Sequence, residues 1–225
     1  MIRTMFLTVI FLGLLVSCGG KDGGGSDSNP LVTEAEEAGD GVYHAHLRPV
    51  NAHASGFIPH GGATFSLEGD RLTVKSYLDD ASSVEHRQSV HVGTKCPGPE
   101  ADKNGDGFID YPEALAYVGP VLIPLDSDLS EQQKGADSYP RGSAFTYQES
   151  VSLSQLMGDL WSSDIDPADE VIKLPPSEGL KLVGRVVLVF GTSPYSGLPA
   201  TLGGRGSVAP YLSLPVTCGV ITPVL

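Results

Sequence analysis

GATFSLEGDRLTVKSY, residues Gly62 to Tyr77, alternates apolar and polar side chains on both sides of a turn. Ala63, Phe65 and Leu67 fall on one face, and Leu72, Val74 and Ser76 resume the alternation after Glu68-Gly69-Asp70-Arg71. Successive strand side chains point to opposite faces, so this spacing predicts two antiparallel strands with one face buried. The same reading predicts strands at Val42–Val50, Ser89–Gly93, Val118–Leu125, Ser143–Leu153, Gly184–Phe190 and Leu212–Val224. Helical periodicity is confined to Leu153–Ser162, where Leu156, Leu160 and Trp161 share a face. With 28 Gly and 17 Pro in the chain, the pattern predicts an all-β domain over 41–225, with many turns and at most one short helix. Two sheets, each burying one face, would account for the strands.

The most informative polar stretch is DKNGDGFIDYPE, Asp102 to Glu113. Oxygen side chains stand at its positions 1, 3, 5, 9 and 12: Asp102, Asn104, Asp106, Asp110 and Glu113. Phe108 at position 7 would offer its backbone carbonyl, and Gly107 at position 6 permits the sharp turn. Calcium is a hard cation that takes six to eight oxygens, and this is the EF-hand ligand pattern, so calcium is the expected cofactor. Pro97 and Pro99 bar a helix leading into the loop, and Pro112 allows only a short one after it, at Glu113–Tyr117. The expectation is a solitary calcium loop inserted in another fold, stabilising rather than sensing, since a sensor needs two helices that move apart.

Met1 to Ser17 have the form of a signal peptide: Arg3 supplies a positive n-region and Met5–Val16 is apolar. Leu15-Val16-Ser17-Cys18-Gly19 resembles the lipobox of bacterial lipoproteins, which implies a lipid on Cys18 and attachment to a membrane. Gly19, rather than aspartate, after that cysteine implies the outer membrane of the bacterial cell envelope. Residues 18–40 begin with a Gly/Ser-rich run and are expected to be a flexible tether, with Leu31–Asp40 ambiguous between tether and domain edge. The formal charge is −13, which argues against nucleic acid as a partner, because phosphate contacts need basic patches. No residue specifies a protein or glycan partner. With Cys18 lipidated, Cys96 and Cys218 remain, and an even pair in an oxidising compartment is expected to be bridged.

Three further stretches resemble the copper/zinc superoxide dismutase family. Cys218-Gly219-Val220-Ile221 is similar to the CGVI end of those enzymes, where the cysteine pairs with one just after the copper-binding strand. His86-Arg87-Gln88-Ser89-Val90-His91-Val92-Gly93, followed by Cys96, resembles their HGFHVHEFG stretch, and Gly184–Phe190 resembles their GRTLVVH strand. The resemblance implies a Greek-key sandwich or flattened barrel, shared with the related CHRD domains. It also implies that the copper-ligand positions fall on Ser89, His91 and Phe190, that His86 is structural, and that the substrate-guiding arginine falls on Pro215. The calcium loop stands where the family carries its zinc subloop, and no histidine follows His91. A copper redox centre needs several imidazoles around one open position, so dismutase activity is not expected.

His44 and His46, two apart on one strand, could join His86 and His91 in a transition-metal site, with His53 and His60 in the following turn. Scattered histidines are the simpler reading, because no third ligand has a fixed spacing to the pair. Gly203-Gly204-Arg205-Gly206-Ser207 lacks the lysine and helix of a phosphate loop and reads as a long connection. Asp126–Ser138 and Asp164–Glu170 read as solvated loops. The expected function is that of a non-catalytic, calcium-binding, lipid-anchored module; the alternative is a periplasmic copper/zinc-binding protein or divergent metalloenzyme using the histidines at 44, 46, 86 and 91.

Overall fold

The computed structural model describes residues 36–130, 138–161, 171–176 and 178–225. The segments expected to be a signal peptide and a flexible tether, up to residue 35 and including Cys18, and the acidic run Asp164–Glu170 lie outside the described residues. The strands are β1 (Glu36–Glu37), β2 (Gly41–Pro49), β3 (His60–Glu68), β4 (Arg71–Asp79), β5 (Gln88–His91), β6 (Val121–Pro124), β7 (Phe145–Ser152), β8 (Lys181–Val183), β9 (Val186–Phe190) and β10 (Pro215–Pro223).

The hairpin expected from Gly62–Tyr77 is present as β3 and β4, paired from His60↔Asp79 to Glu68↔Arg71. Gly69 occupies the first central turn position at φ 56°, the left-handed backbone that a two-residue II′ turn requires there. Phe65, Leu67, Leu72 and Val74 face inward as the alternation dictates. Ser76 is also inside, and its hydroxyl donates to Gln88 Oε1 of β5 at 2.8 Å.

Eight strands form one antiparallel sheet in the order β6-β5-β9-β10-β2-β3-β4-β7, and β1 pairs with β8 in a second, two-stranded sheet. The two layers expected as separate sheets are therefore two halves of one curled sheet. The halves face each other across a common core: Phe65, Leu72, Val74 and Leu78 meet Val90, Leu122, Ile123, Val187 and Val189 in a single cluster. The two edges also approach, since Tyr147 Oη of β7 donates to the Asp126 carbonyl just beyond β6 at 2.7 Å. From β4 the chain crosses to the neighbouring strands β5 and β6, and β7 returns beside β4. This is a Greek-key flattened barrel.

Strand bounds differ from expectation mainly where helices intervene. The described residues hold four short α-helices rather than one: α1 (Ala52–Ser55), α2 (Tyr111–Val118), α3 (Leu153–Trp161) and α4 (Pro210–Ser213). In addition a single 3₁₀ turn, Pro99–Ala101, leads into the Asp102 loop where no helix was expected, because proline fits the first position of such a turn. Val118, read as the start of a strand, closes α2, and Leu212, read as strand, lies in α4. In α3, Leu156, Met157 and Leu160 are buried, whereas Trp161 stands 38% exposed with its indole N–H on the Glu178 carbonyl. The Asp70 carboxylate starts this helix, accepting from Ser154 N–H at 2.7 Å and from the Ser152 hydroxyl. Within Leu31–Asp40, read as ambiguous between tether and domain edge, Glu36 and Glu37 belong to the domain, because they pair with β8. Asp126 and Leu129 are buried, so the start of the segment read as a solvated excursion belongs to the interior.

Every residue of β9, VVLVF, is buried, as a continuous apolar run requires when both faces of a strand are covered. Val187 and Val189 face the main core. Val186, Leu188 and Phe190 face a second cluster with Tyr111 and Val118 of α2 and with Cys218. The expected Cys96–Cys218 disulfide is present, linking residues 122 apart in sequence. A loop of that length bears on the unfolded chain by up to about 5 kcal/mol in the chain-entropy model. Reduction, or the Cys96→Ser/Cys218→Ser variant, is expected to lower the denaturation free energy toward that limit. Equilibrium denaturant titration with and without reductant measures the difference.

Candidate functional site

The loop from Asp102 to Glu113 follows β5 and Cys96 and runs into the first turn of α2, and its oxygens are organised by its own backbone. Asp102 accepts from Gly105 N–H at 2.8 Å and Gly107 N–H at 2.9 Å, one on each carboxylate oxygen. Asn104 Oδ1 accepts from Asp106 N–H, and Asp106 Oδ1 accepts from Phe108 N–H. Gly107 takes φ 86°, so a side chain at position 6 would strain the turn. Glu113 reaches back across the loop: Oε1 accepts from Lys103 N–H at 2.7 Å and Asn104 N–H at 3.2 Å. The loop is thus closed end to end by its position-12 carboxylate.

Asp110 and Glu113 have a second duty. Asp110 is the N-cap of α2, accepting from Glu113 N–H at 3.1 Å while Glu113 Oε2 accepts from Asp110 N–H at 3.1 Å. This is a capping box with Pro112 in the first turn. It explains why the helix begins at Tyr111 and is longer than the expected Glu113–Tyr117. The remaining Asp110 oxygen, Oδ2, accepts from Gly203 N–H at 2.6 Å. Position 9 of the pattern is therefore engaged with the protein.

Three contacts that sequence reasoning missed hold the loop in place. Asn51, buried between β2 and α1, presents its side-chain amide to Ile109 at position 8, donating to Ile109 O at 2.9 Å and accepting from Ile109 N–H at 2.8 Å. Its amide also donates to Pro215 O at the head of β10. Thr201 Oγ1 donates to Asp106 Oδ2 at 2.5 Å, and Phe108 packs against Leu202 and Leu214. Asn51, Thr201 and Gly203 act on loop residues 58 to 95 positions away, and no local pattern marks them. Burial raises the Asp106 carboxyl, but hydrogen bonds from Thr201 and Phe108 N–H, with the contact to Asn104, outweigh it and hold the group below the ordinary aspartate value.

In chemical terms the loop offers carboxylate oxygens at Asp102, Asp106 and Glu113, an amide oxygen at Asn104 and the Phe108 carbonyl. Each carboxylate has about four acceptor sites, so an N–H bond leaves capacity for a cation. The set is all oxygen, which suits a hard cation and not a copper or zinc ion. As they stand, no three His, Cys, Asp or Glu side chains among the described residues gather closely enough to hold a metal, so a cation would have to draw the loop carboxylates together.

The four histidines considered together in the sequence do not form one site. His44 and His46 lie on the outward face of β2, half-buried and exposed. His86 and His91 are fully buried. His86 faces carbonyls on both ring nitrogens: Phe190 O at 3.0 Å from Nδ1, and Ser82 O at 2.8 Å and Gly142 O at 3.1 Å from Nε2. It ties three segments of the barrel together. His53 lies in α1 and His60 opens β3.

Ser89, His91 and Phe190 converge. Ser89 Oγ and His91 Nε2 are 2.9 Å apart, His91 Nδ1 is 2.8 Å from Gly119 O at the end of α2, and the His91 and Phe190 rings lie 6.1 Å apart. Burial drives the His91 pKa down to about 4; the Gly119 contact opposes this and the Arg205 charge adds to it. A neutral ring donating from Nδ1 and accepting the Ser89 hydroxyl at Nε2 satisfies both contacts.

A buried neutral histidine makes stability pH-dependent. The folded value, about 4, lies below the ordinary 6.5, so the unfolded chain binds the proton more readily. The stability is fully present above about pH 6.5 and is lost as pH falls toward 4, by about 3 kcal/mol in all. His91→Gln is expected to flatten the denaturation free energy between those pH values relative to the parent chain. Parallel denaturant titrations across that range measure the difference in slope.

No protein-family model matches this chain, and no curated protein matches it.

Proposed function

We propose that this chain is a calcium-binding, lipid-anchored β domain of the bacterial cell envelope, acting as a non-catalytic binding or structural module. The observation that carries the calcium reading is the closure of the loop by Glu113. Its carboxylate returns to the Lys103 and Asn104 N–H groups, beside the Asp102, Asn104 and Asp106 side chains. Calcium would be held by those oxygens with the Phe108 carbonyl, and its charge would offset the mutual repulsion of Asp102, Asp106 and Glu113. The role is stabilising, because α2 begins within the loop and, among the described residues, only a 3₁₀ turn at Pro99–Ala101 leads into it.

The superoxide dismutase and CHRD resemblance is supported by the Greek-key strand order, by the Cys96–Cys218 bridge and by the meeting of Ser89, His91 and Phe190. The same three residues argue against dismutase chemistry. Phenylalanine offers no ligand, and both His91 nitrogens are taken by Ser89 and Gly119.

The calcium reading is tested by thermal unfolding with calcium and with chelator. Calcium is expected to raise Tm by several degrees and to be taken up by the parent chain in titration. Asp106→Ala and Glu113→Ala should behave like the chelated protein. An unchanged Tm together with no calcium uptake would overturn the reading. The anchor rests on the lipobox-like Leu15–Gly19: Cys18→Ala is expected to move the protein from the membrane fraction to the soluble fraction of a bacterial host, and undiminished membrane retention would count against it.

A further inference from the structure

We propose that His44 and His46 on β2 form a two-imidazole chelate for a borderline divalent cation, copper(II) above all, on the outer face of the sheet. The site is separate from the calcium loop. Residues two apart on a strand share a face and lie about 6.6–6.8 Å apart along the backbone, a span that two inward-leaning imidazoles can close onto one ion at about 2.0–2.1 Å from each nitrogen.

Geometry around His44 gives this pair more than sequence spacing. Its Nδ1 lies 3.2 Å from Thr64 Oγ1 on the adjacent strand β3, which fixes the ring and leaves Nε2 as the second nitrogen. With Nδ1–H donated to the Thr64 hydroxyl, the Nε2 lone pair is left for a cation, and a partner on the second ring nitrogen is what fixes the tautomer and orientation of metal-binding histidines. The ring leans toward Gly62, which pairs directly with His46. A Cβ at Gly62 would fall 2.8 Å from His44 Cε1, 3.3 Å from His44 Nε2 and 3.0 Å from Tyr77 Cε1. The glycine thus makes room for the His44 ring beside the position of His46, with the half-exposed Tyr77 as the far wall. Two protein nitrogens and open positions filled by water suit copper(II), which binds nitrogen ligands more tightly than zinc or nickel.

The test is titration of copper(II) into the full chain with calcium in excess, followed by electron paramagnetic resonance and by competition with a chelator of known affinity. One copper(II) per chain with nitrogen coupling is expected. His44→Ala and His46→Ala should each weaken binding at least tenfold, because one imidazole cannot chelate. A His53→Ala/His60→Ala variant, which removes the histidines of α1 and of the start of β3, should leave binding unchanged. Binding that survives either His44→Ala or His46→Ala, or that is lost with His53 and His60, would overturn the proposal. Because both residues lie outside the core and outside the loop, calcium uptake by these variants stays that of the parent chain, so the result is independent of the calcium reading.

Discussion

Two groups of strands, β2-β3-β4-β7 and β6-β5-β9, share one sheet only through β10. That strand pairs with β9 on one side, from Pro215↔Phe190 to Val220↔Val186, and with β2 on the other, from Thr217↔Pro49 to Pro223↔Tyr43. Without it the main core would have two half-walls and no hinge between them. Its fastenings are correspondingly dense. Cys218 bridges to Cys96, Pro215 O receives the Asn51 amide, and Ile221 O receives Gly184 N–H. The close fit extends to Gly219, where a Cβ would fall 2.5 Å from the His46 carbonyl.

The loop between β5 and α2 is joined to the same strand by two routes, the disulfide and Asn51. The Asn51 side-chain amide meets both the N–H and the C=O of Ile109, as one peptide unit of a neighbouring strand would. A solitary loop thereby obtains from a side chain the backbone support that a paired loop takes from its partner. The segment at Thr201–Gly203 grips the opposite side through Asp106, Phe108 and Asp110. Three alternate positions of the loop thus hold one distant segment, which places Arg205 over the Tyr111 ring at 5.7 Å and its charge within reach of His91.

The parts legible in the sequence are those governed by short-range pattern. Phe65, Leu72 and Val74 declare a strand face by alternation, and VVLVF declares a strand by its short β-branched run. The order of oxygen side chains from Asp102 to Glu113 is likewise local. Legibility ends where one residue serves two structures. Val118 heads an apolar run that continues into β6, so periodicity alone joined it to the strand; the break is made by Gly119, at φ 68°, and Pro120. The helices α1 and α4 are a single turn each and too short for a 3.6-residue period to be visible. Asn51, Thr201 and Gly203 carry no local signature because their partners lie on other elements. Scattered histidines are the simpler reading of the sequence, and the barrel does keep the four apart: alternation sends His44 and His46 outward on β2, whereas His91 lies on the wholly buried β5 and His86 is buried just before it.

The central place of β10 also sets an order of events. Synthesis delivers β2 and β9 before β10, so the growing chain holds two incomplete half-sheets, each with an unpaired edge that offers hydrogen bonds to any other extended segment. Pairings as distant in sequence as Pro223 with Tyr43 form slowly, because loop-closure entropy is lost before contacts compensate for it. The chain therefore passes through a window in which its own most apolar strand, β9, lies uncovered, and its dependence on protection from aggregation is greatest just before the last strand is added.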